Sequence, residues 1–216
     1  MEKVINILSK NSSIFTQIMS ELRDVDIQTD RMRFRFNLER AGELMAYEIS
    51  RYLAYENKTV TTPLGTADVP VLKDQPVIVG ILRAGLPLHQ GFLRIFDHAD
   101  NGFISAYRQH TNENEFVIKV EYMACPDIEN RTLILVDPMI ATGKSLYLSY
   151  QSLLSLGTPK EVYIAGVIGS EEGVRYLRLN IPHAKIFIGD VDKELTAKSY
   201  IVPGLGDAGD LAYGLK

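Results

Sequence analysis

Within nine residues this chain places a carboxylate, two hydroxyls, a glycine and a lysine: Asp137-Pro138-Met139-Ile140-Ala141-Thr142-Gly143-Lys144-Ser145. The apolar run Leu133 to Val136 stops at Asp137, and a helical pattern begins at Gly143. Free N–H groups and the dipole at a helix N-terminus make an anion site. Gly143 lets the backbone close on a phosphate. Thr142 and Ser145 add hydroxyl donors, and Lys144 adds positive charge. A Walker A loop needs glycine five residues before its Gly-Lys pair, and position 138 is proline. The match to a nucleotidase loop is therefore incomplete. Thr142 and Gly143 could serve only as a helix cap and a turn. A cap needs one such residue, so the whole set favours phosphate chemistry.

Two further features attract notice. Pro203-Gly204-Leu205-Gly206-Asp207-Ala208-Gly209-Asp210 carries three glycines and two aspartates within seven residues. It reads as a loop and not a helix, compact enough for close backbone approach to a ligand. The histidines, His89, His98, His110 and His183, are scattered, with no metal-ligand spacing beside a Cys or carboxylate cluster. His89 reads as helix packing.

The elements that must position these residues are legible. Pro76 to Leu82, Arg131 to Val136, Glu161 to Ile168 and Ala184 to Ile188 are apolar, β-branched runs. Such runs are strands buried on both faces of a parallel sheet. Helical patterns lie between them, over Leu86 to Phe96, Gly143 to Leu156 and Ser170 to Leu179. The alternation predicts an α/β fold: a doubly wound, mostly parallel sheet with helices on both faces. Ligands of such sheets bind at the carboxyl ends of the strands. Asn37 to Asn57 reads as a helix, and Lys58 to Val71, with Pro63-Leu64-Gly65, as a hairpin. Residues 103–122 read as a projecting β-hairpin around Thr111 to Glu115. The first thirty residues mix an amphipathic stretch, Ile5 to Leu22, with an acidic one, Glu21 to Asp26. Residues 1–216 are expected to form one domain with a small C-terminal hood over 190–216.

Composition narrows the function. The chain has 216 residues, 46% hydrophobic and 23% charged, with net charge −4. That is a poor background for nucleic-acid binding. Cys125 is the sole cysteine, so no internal disulfide forms and a reducing compartment is the simplest reading. Nothing legible nearby makes it a nucleophile. No stretch approaches a membrane span, and Met1 to Ser20 lacks a signal-peptide apolar core. A cytoplasmic protein without nucleic-acid or membrane partners is expected.

Asp137 to Ser145 resembles the phosphoribosyl pyrophosphate (PRPP) loop of phosphoribosyltransferases, and Val-Asp-Pro-Met-Ile-Ala-Thr-Gly is similar to the uracil-type members. Ile81-Leu82-Arg83-Ala84-Gly85-Leu86 resembles that family's Leu-Arg-Ala-Gly loop. Tyr200 to Asp210 resembles its uracil-binding segment, the most specific of the three. The resemblance runs from about residue 30 to the C-terminus. It implies transfer of ribose 5-phosphate from PRPP to uracil, giving UMP and pyrophosphate in pyrimidine salvage.

On this resemblance Asp137, Pro138, Met139, Ile140, Ala141, Thr142, Gly143, Lys144 and Ser145 bind PRPP, the 5-phosphate lying over Ala141 to Ser145. Arg83 and Arg108 meet the pyrophosphate, a role that suits charged, bidentate guanidinium groups. Ile201, Gly206 and Ala208 offer backbone groups to the uracil edge, and Asp207 faces PRPP. The implied catalytic residues are Arg83, Arg108 and Asp207. Mg²⁺ arrives with PRPP, with no metal held by the protein alone. The family implies a homo-oligomer, a dimer or higher, and some members respond to GTP. Lys144 stands where uracil-type loops carry a second glycine. Pro87-Leu88-His89-Gln90 and Gln109 to Cys125 also depart from the usual wording. Two rival readings are a pyrimidine-sensing RNA-binding relative and a phosphoribosyltransferase for another base.

Overall fold

The computed structural model describes residues 5–112 and 115–215, without the side chains of 106–120. Its central sheet comprises β1 (Ile5–Ile7), β4 (Val77–Leu82), β5 (Asp100–Asn112), β6 (Glu115–Ala124), β7 (Thr132–Val136), β8 (Met139–Ile140), β9 (Glu161–Ser170) and β10 (Lys185–Asp192). The order is β1-β10-β9-β7-β4-β5-β6, with β8 added to β9. All pairs are parallel except β5 with β6.

The period-2 alternation of each strand builds two cores. Ile78, Ile134, Val136, Tyr163, Ala165 and Phe187 face one side, and Val77, Val79, Leu133, Leu135, Ile164 and Ile188 face the other. The first side is covered by α1 (Ile14–Arg23), α2 (Arg31–Ser50), α3 (Gly85–Ile95) and α6 (Ala208–Tyr213). The second is covered by α4 (Lys144–Leu153) and α5 (Glu171–Asn180). The sheet is doubly wound, mostly parallel, with helices on both faces. Phe34, Leu38, Met45 and Ile49 of α2 are all 1% exposed or less. Each contributes roughly 1.5–3 kcal/mol by leaving water.

Several boundaries differ from the sequence reading. α2 begins at Arg31 and not Asn37, because the Asp30 carboxylate accepts from the N–H groups of Met32 at 2.9 Å and Arg33 at 3.0 Å. It ends at Ser50, so Tyr55 to Asn57 belong to a strand. That strand, β2 (Tyr55–Thr62), pairs with β3 (Gly65–Leu72) as an isolated ribbon turning at Pro63-Leu64. The hairpin expected over 103–122 is half embedded. β5 pairs with β4 up to Leu82↔Ser105, then leaves the sheet at a register shift between Ser105 and Ala106 and continues with β6 alone.

The tail is also more ordered than a loop. β11 (Glu194–Leu195) pairs with β12 (Ile201–Val202), and Ala208–Tyr213 is helical. The Asp207 carboxylate starts that helix by accepting from Gly209 N–H at 2.9 Å and Asp210 N–H at 3.1 Å. The aspartate that seemed to argue for a loop caps a helix.

Candidate functional site

The site is built at the carboxyl ends of β4, β7 and β9, as a parallel sheet dictates. Pairing of Gly80 with Val136 puts the loops after β4 and β7 side by side. The first carries Arg83, and the second carries Asp137.

The loop from Asp137 to Gly143 is fastened to β9 and α5. Asp137 N–H donates to Ala165 O at 3.1 Å. Pro138 O accepts from Val167 at 3.1 Å and Ile168 at 2.9 Å. Ile140 pairs with Gly169, and the Ser170 hydroxyl donates to Ala141 O. Gly143 then turns the chain at φ +72° to start α4, and a Cβ there would stand 2.8 Å from Gly173 O. Only glycine meets both conditions. The first N–H groups of α4 thus follow directly on the hydroxyl of Thr142. Thr142 Oγ accepts from Lys144 N–H at 3.4 Å. Lys144 is exposed, while Ala141, Thr142 and Ser145 are half-buried.

Asp137 is half-buried. Burial pushes its carboxyl up to about 7, against the Met139 N–H that lowers it from 3.1 Å away. A group with one hydrogen bond and a costly charge is poised to gain from donors or a cation. Among the described residues no group of three or more His, Cys, Asp or Glu could hold a metal.

The tail folds over this edge as the hood. Arg83 donates through Nη2 to Asp210 Oδ1 at 3.2 Å and to Gly214 O at 3.3 Å. Its Nε is buried and makes no hydrogen bond. Ala208 N–H points at Met139 Sδ, 3.3 Å away, a weak acceptor. The loop after β7 and the Arg83 loop thus each meet the hood, one at Ala208 and the other at Asp210 and Gly214. Ile201 is buried, and Gly206 and Asp207 are exposed. Beside the hood a cavity of about 430 Å³ is lined by Gln28, Arg31, Tyr200, Gly206, Asp207 and Leu211, among others.

Not every candidate joins these contacts. The Arg108 side chain lies outside the described residues. Its backbone pairs with Ile118 in the part of the hairpin beyond the sheet. His89 is 1% exposed and packs on Phe103 with ring centroids 4.8 Å apart. Burial lowers its pKa, so it sits neutral in the core. Cys125 is half-buried, and burial pushes its thiol up to about 11, which leaves it unreactive. A larger cavity, about 630 Å³, lies between β1, α1 and α2. None of the candidate residues lines it, so the chemistry and not the volume marks the site.

Sequence reasoning missed Arg23, Asp190 and Asp192. The two aspartates stand at the carboxyl end of β10, where the fold rule could have found them. Arg23 had no local signal. Burial works to raise the pKa of Asp192, but the Arg23 guanidinium and the Gly204 N–H hold it below the usual carboxylate range.

The sequence model of the uracil phosphoribosyltransferase family matches residues 9–214. A uracil phosphoribosyltransferase of Porphyromonas gingivalis is 50% identical over 210 residues, covering 97% of each chain. One from Pyrococcus furiosus is 38% identical, covering 95% of this chain and 88% of that one. The AQ2163 protein of Aquifex aeolicus superposes with a TM-score of 0.87 at 28% identity, over 98% of both chains. The purine phosphoribosyltransferase of Pyrococcus horikoshii shares the fold alone, with a TM-score of 0.51 at 16% identity over 74% of this chain and 86% of that one.

Proposed function

The chain belongs to the uracil phosphoribosyltransferase family, a family of pentosyltransferases, and from that premise we propose how its residues make UMP from uracil and PRPP. The observation that supports the reading is the meeting of three segments at the carboxyl ends of the strands. Arg83 reaches Asp210 at 3.2 Å, and Ala208 N–H reaches Met139 Sδ at 3.3 Å.

In this reading the 5-phosphate rests on Ala141 to Ser145 at the start of α4. Asp137 accepts from the ribose hydroxyls, and cationic or hydrogen-bonded company makes its charge less costly. Arg83 turns its unpaired Nε and its guanidinium to the pyrophosphate, and Arg108 does the same from the hairpin. The base lies between Met139 and the hood, where Ala208 N–H exchanges the thioether sulfur for a base carbonyl. Gly206 and Ile201 supply further backbone groups, and Asp207 faces PRPP. Cytosine leaves one such group unpaired, which costs about 1–3 kcal/mol.

The bond from the anomeric carbon to pyrophosphate breaks, and pyrophosphate leaves with the electron pair. The ring nitrogen of uracil supplies the new pair, and its proton passes to water. Charge gathers on the leaving group, where the arginines stabilise it. A Mg²⁺ ion entering with PRPP would supply further neutralisation of the same charge. The donor set fits such an ion: Asp137 keeps lone pairs free, and substrate oxygens and water supply the rest. Positioning and leaving-group stabilisation carry the rate.

The chain acts as a homo-oligomer in the cytoplasm. The β2–β3 ribbon supports the first half of this reading. It is exposed on both faces, with Leu64 at its tip 99% exposed. A two-stranded ribbon is marginal alone in water, so a second copy covers it. Sedimentation of Leu64→Asp checks this, with a shift toward monomer expected. No described helix is long and apolar enough to cross a membrane.

The decisive assay follows nucleotide formation from PRPP, Mg²⁺ and each of uracil, cytosine, orotate, hypoxanthine and xanthine, with and without GTP. UMP from uracil alone, lost in Asp207→Ala, is the expected result. PRPP binding without product from any base would instead favour the RNA-binding relative, whose affinity would fall steeply with salt.

A further inference from the structure

A guanidinium and two carboxylates join the sheet to the hood. Arg23, at the end of α1, donates from Nη1 to Asp192 Oδ2 at 2.8 Å and from Nη2 to Asp192 Oδ1 at 2.9 Å. It also reaches Asp190 Oδ2 at 2.8 Å and Gly204 O at 2.9 Å. Asp192 Oδ2 accepts from Gly204 N–H at 2.8 Å. Both polar groups of the Gly204 backbone are thereby held, one by each partner of the ion pair. The Asp192 side chain is 9% exposed and that of Arg23 is 22%.

Gly204 is a position where this grip has leverage. Its φ is +61°, and a Cβ there would overlap the Ile201 carbonyl. The bare Gly204 backbone therefore lies close to Ile201, a residue proposed to hold the base, and two residues before Gly206. A bidentate, largely buried ion pair adds little net stability over apolar packing. What it supplies is fixed geometry.

We propose that Arg23 and Asp192 are positioning residues for base recognition: their ion pair clamps Gly204 and so sets the hood backbone that reads uracil. Neither residue belongs to the phosphate loop or the Arg83 loop. The effect falls chiefly on the base, because Ala141 to Ser145, proposed to hold the 5-phosphate, lie outside the clamp. This inference rests on the proposal that the hood holds uracil.

The test is steady-state kinetics of Arg23→Met, Arg23→Lys, Asp192→Asn and the Met/Asn double variant, with Ala208→Pro as a control of the hood itself. Circular dichroism confirms folding at the assay temperature. Arg23→Met and Asp192→Asn should each raise KM for uracil about tenfold or more and leave KM for PRPP within twofold. The double variant should be no worse than the worse single one, because both break one unit. Arg23→Lys should recover only part, since one ammonium cannot span both carboxylate oxygens and Gly204 O. Hydrogen exchange at the Gly204 amide should quicken in Asp192→Asn, an isosteric change that carries the test even if Arg23→Met fails to fold. An unchanged KM for uracil, or equal rises for both substrates, overturns the clamp. If Ala208→Pro raises KM for uracil while the Arg23 and Asp192 variants do not, only the clamp fails. If Ala208→Pro leaves KM for uracil alone, the assignment of the hood to the base fails first.

Discussion

From Asp137 to Gly143 the backbone is tied to its immediate neighbours, strand to strand and loop to helix, by Ala165, Val167, Ile168 and Ser170. From Glu194 to Tyr213 the backbone is tied by side chains that reach in from far along the chain. Arg23 lies 181 residues from Gly204, whose carbonyl it holds, and Arg35 lies 177 residues from Ala212, whose carbonyl it holds. The phosphate loop is therefore part of the sheet, while the hood is an attachment to it. In the proposed function the substrate phosphates, which do not vary, are given to the first, and the base, which must be discriminated, to the second.

Variants that strike the phosphate loop should break this division most. Gly143→Val forces a β-branched residue to φ +72° against Gly173 O. The strain alone is about 1–2 kcal/mol, and the displaced cradle should cost roughly 10²–10³-fold in kcat/KM. Both substrates should suffer, because PRPP positions the carbon that uracil attacks.

Asp137→Asn should cost about 2–3 kcal/mol in the transition state, roughly 10²-fold in kcat/KM. It should also help the free protein. Folding raises the Asp137 pKa from 3.8 to about 7, so between those values the folded chain binds more protons than the unfolded one. The free protein therefore loses stability as pH rises from about 4 to 7. Thermal melts across that range should fall less for Asp137→Asn than for the parent.

Met139→Ala sharpens the contrast from the border of the two regions. It removes the half-buried surface facing Ala208 N–H and should raise KM for uracil about tenfold, about 1.4 kcal/mol of lost apolar contact, with a smaller rise for PRPP. Asp210→Asn is the mildest. Its pair with Arg83 is about one-third exposed on both sides, and such pairs contribute about 0.2–1 kcal/mol. A fall of about two- to fivefold in kcat/KM is expected.

The same division explains what could be read from the sequence. The phosphate loop was legible because strand, turn, glycine and helix start are consecutive, and the sheet because each apolar run is long. β1 was not, because Ile5 to Ile7 gain strand character only by pairing with β10. The start of α2 was hidden because the arginine-rich turn after Asp30 lacks apolar periodicity. The helix at Ala208 was hidden because glycine and aspartate signal turns, while one of those aspartates acts as a cap. Arg23 was invisible for a topological reason: its partners are near only once the chain has folded.

The junction at Asp192 has a practical corollary for anyone wishing to redirect the enzyme. Residues 194–213 enter through one short ribbon and touch the phosphate loop through Met139. A randomised library confined to that stretch, with Arg23, Asp192, Asp207 and Asp210 untouched, could be screened for fluorinated or thiolated pyrimidines while every survivor inherits an unaltered cradle from Ala141 to Ser145.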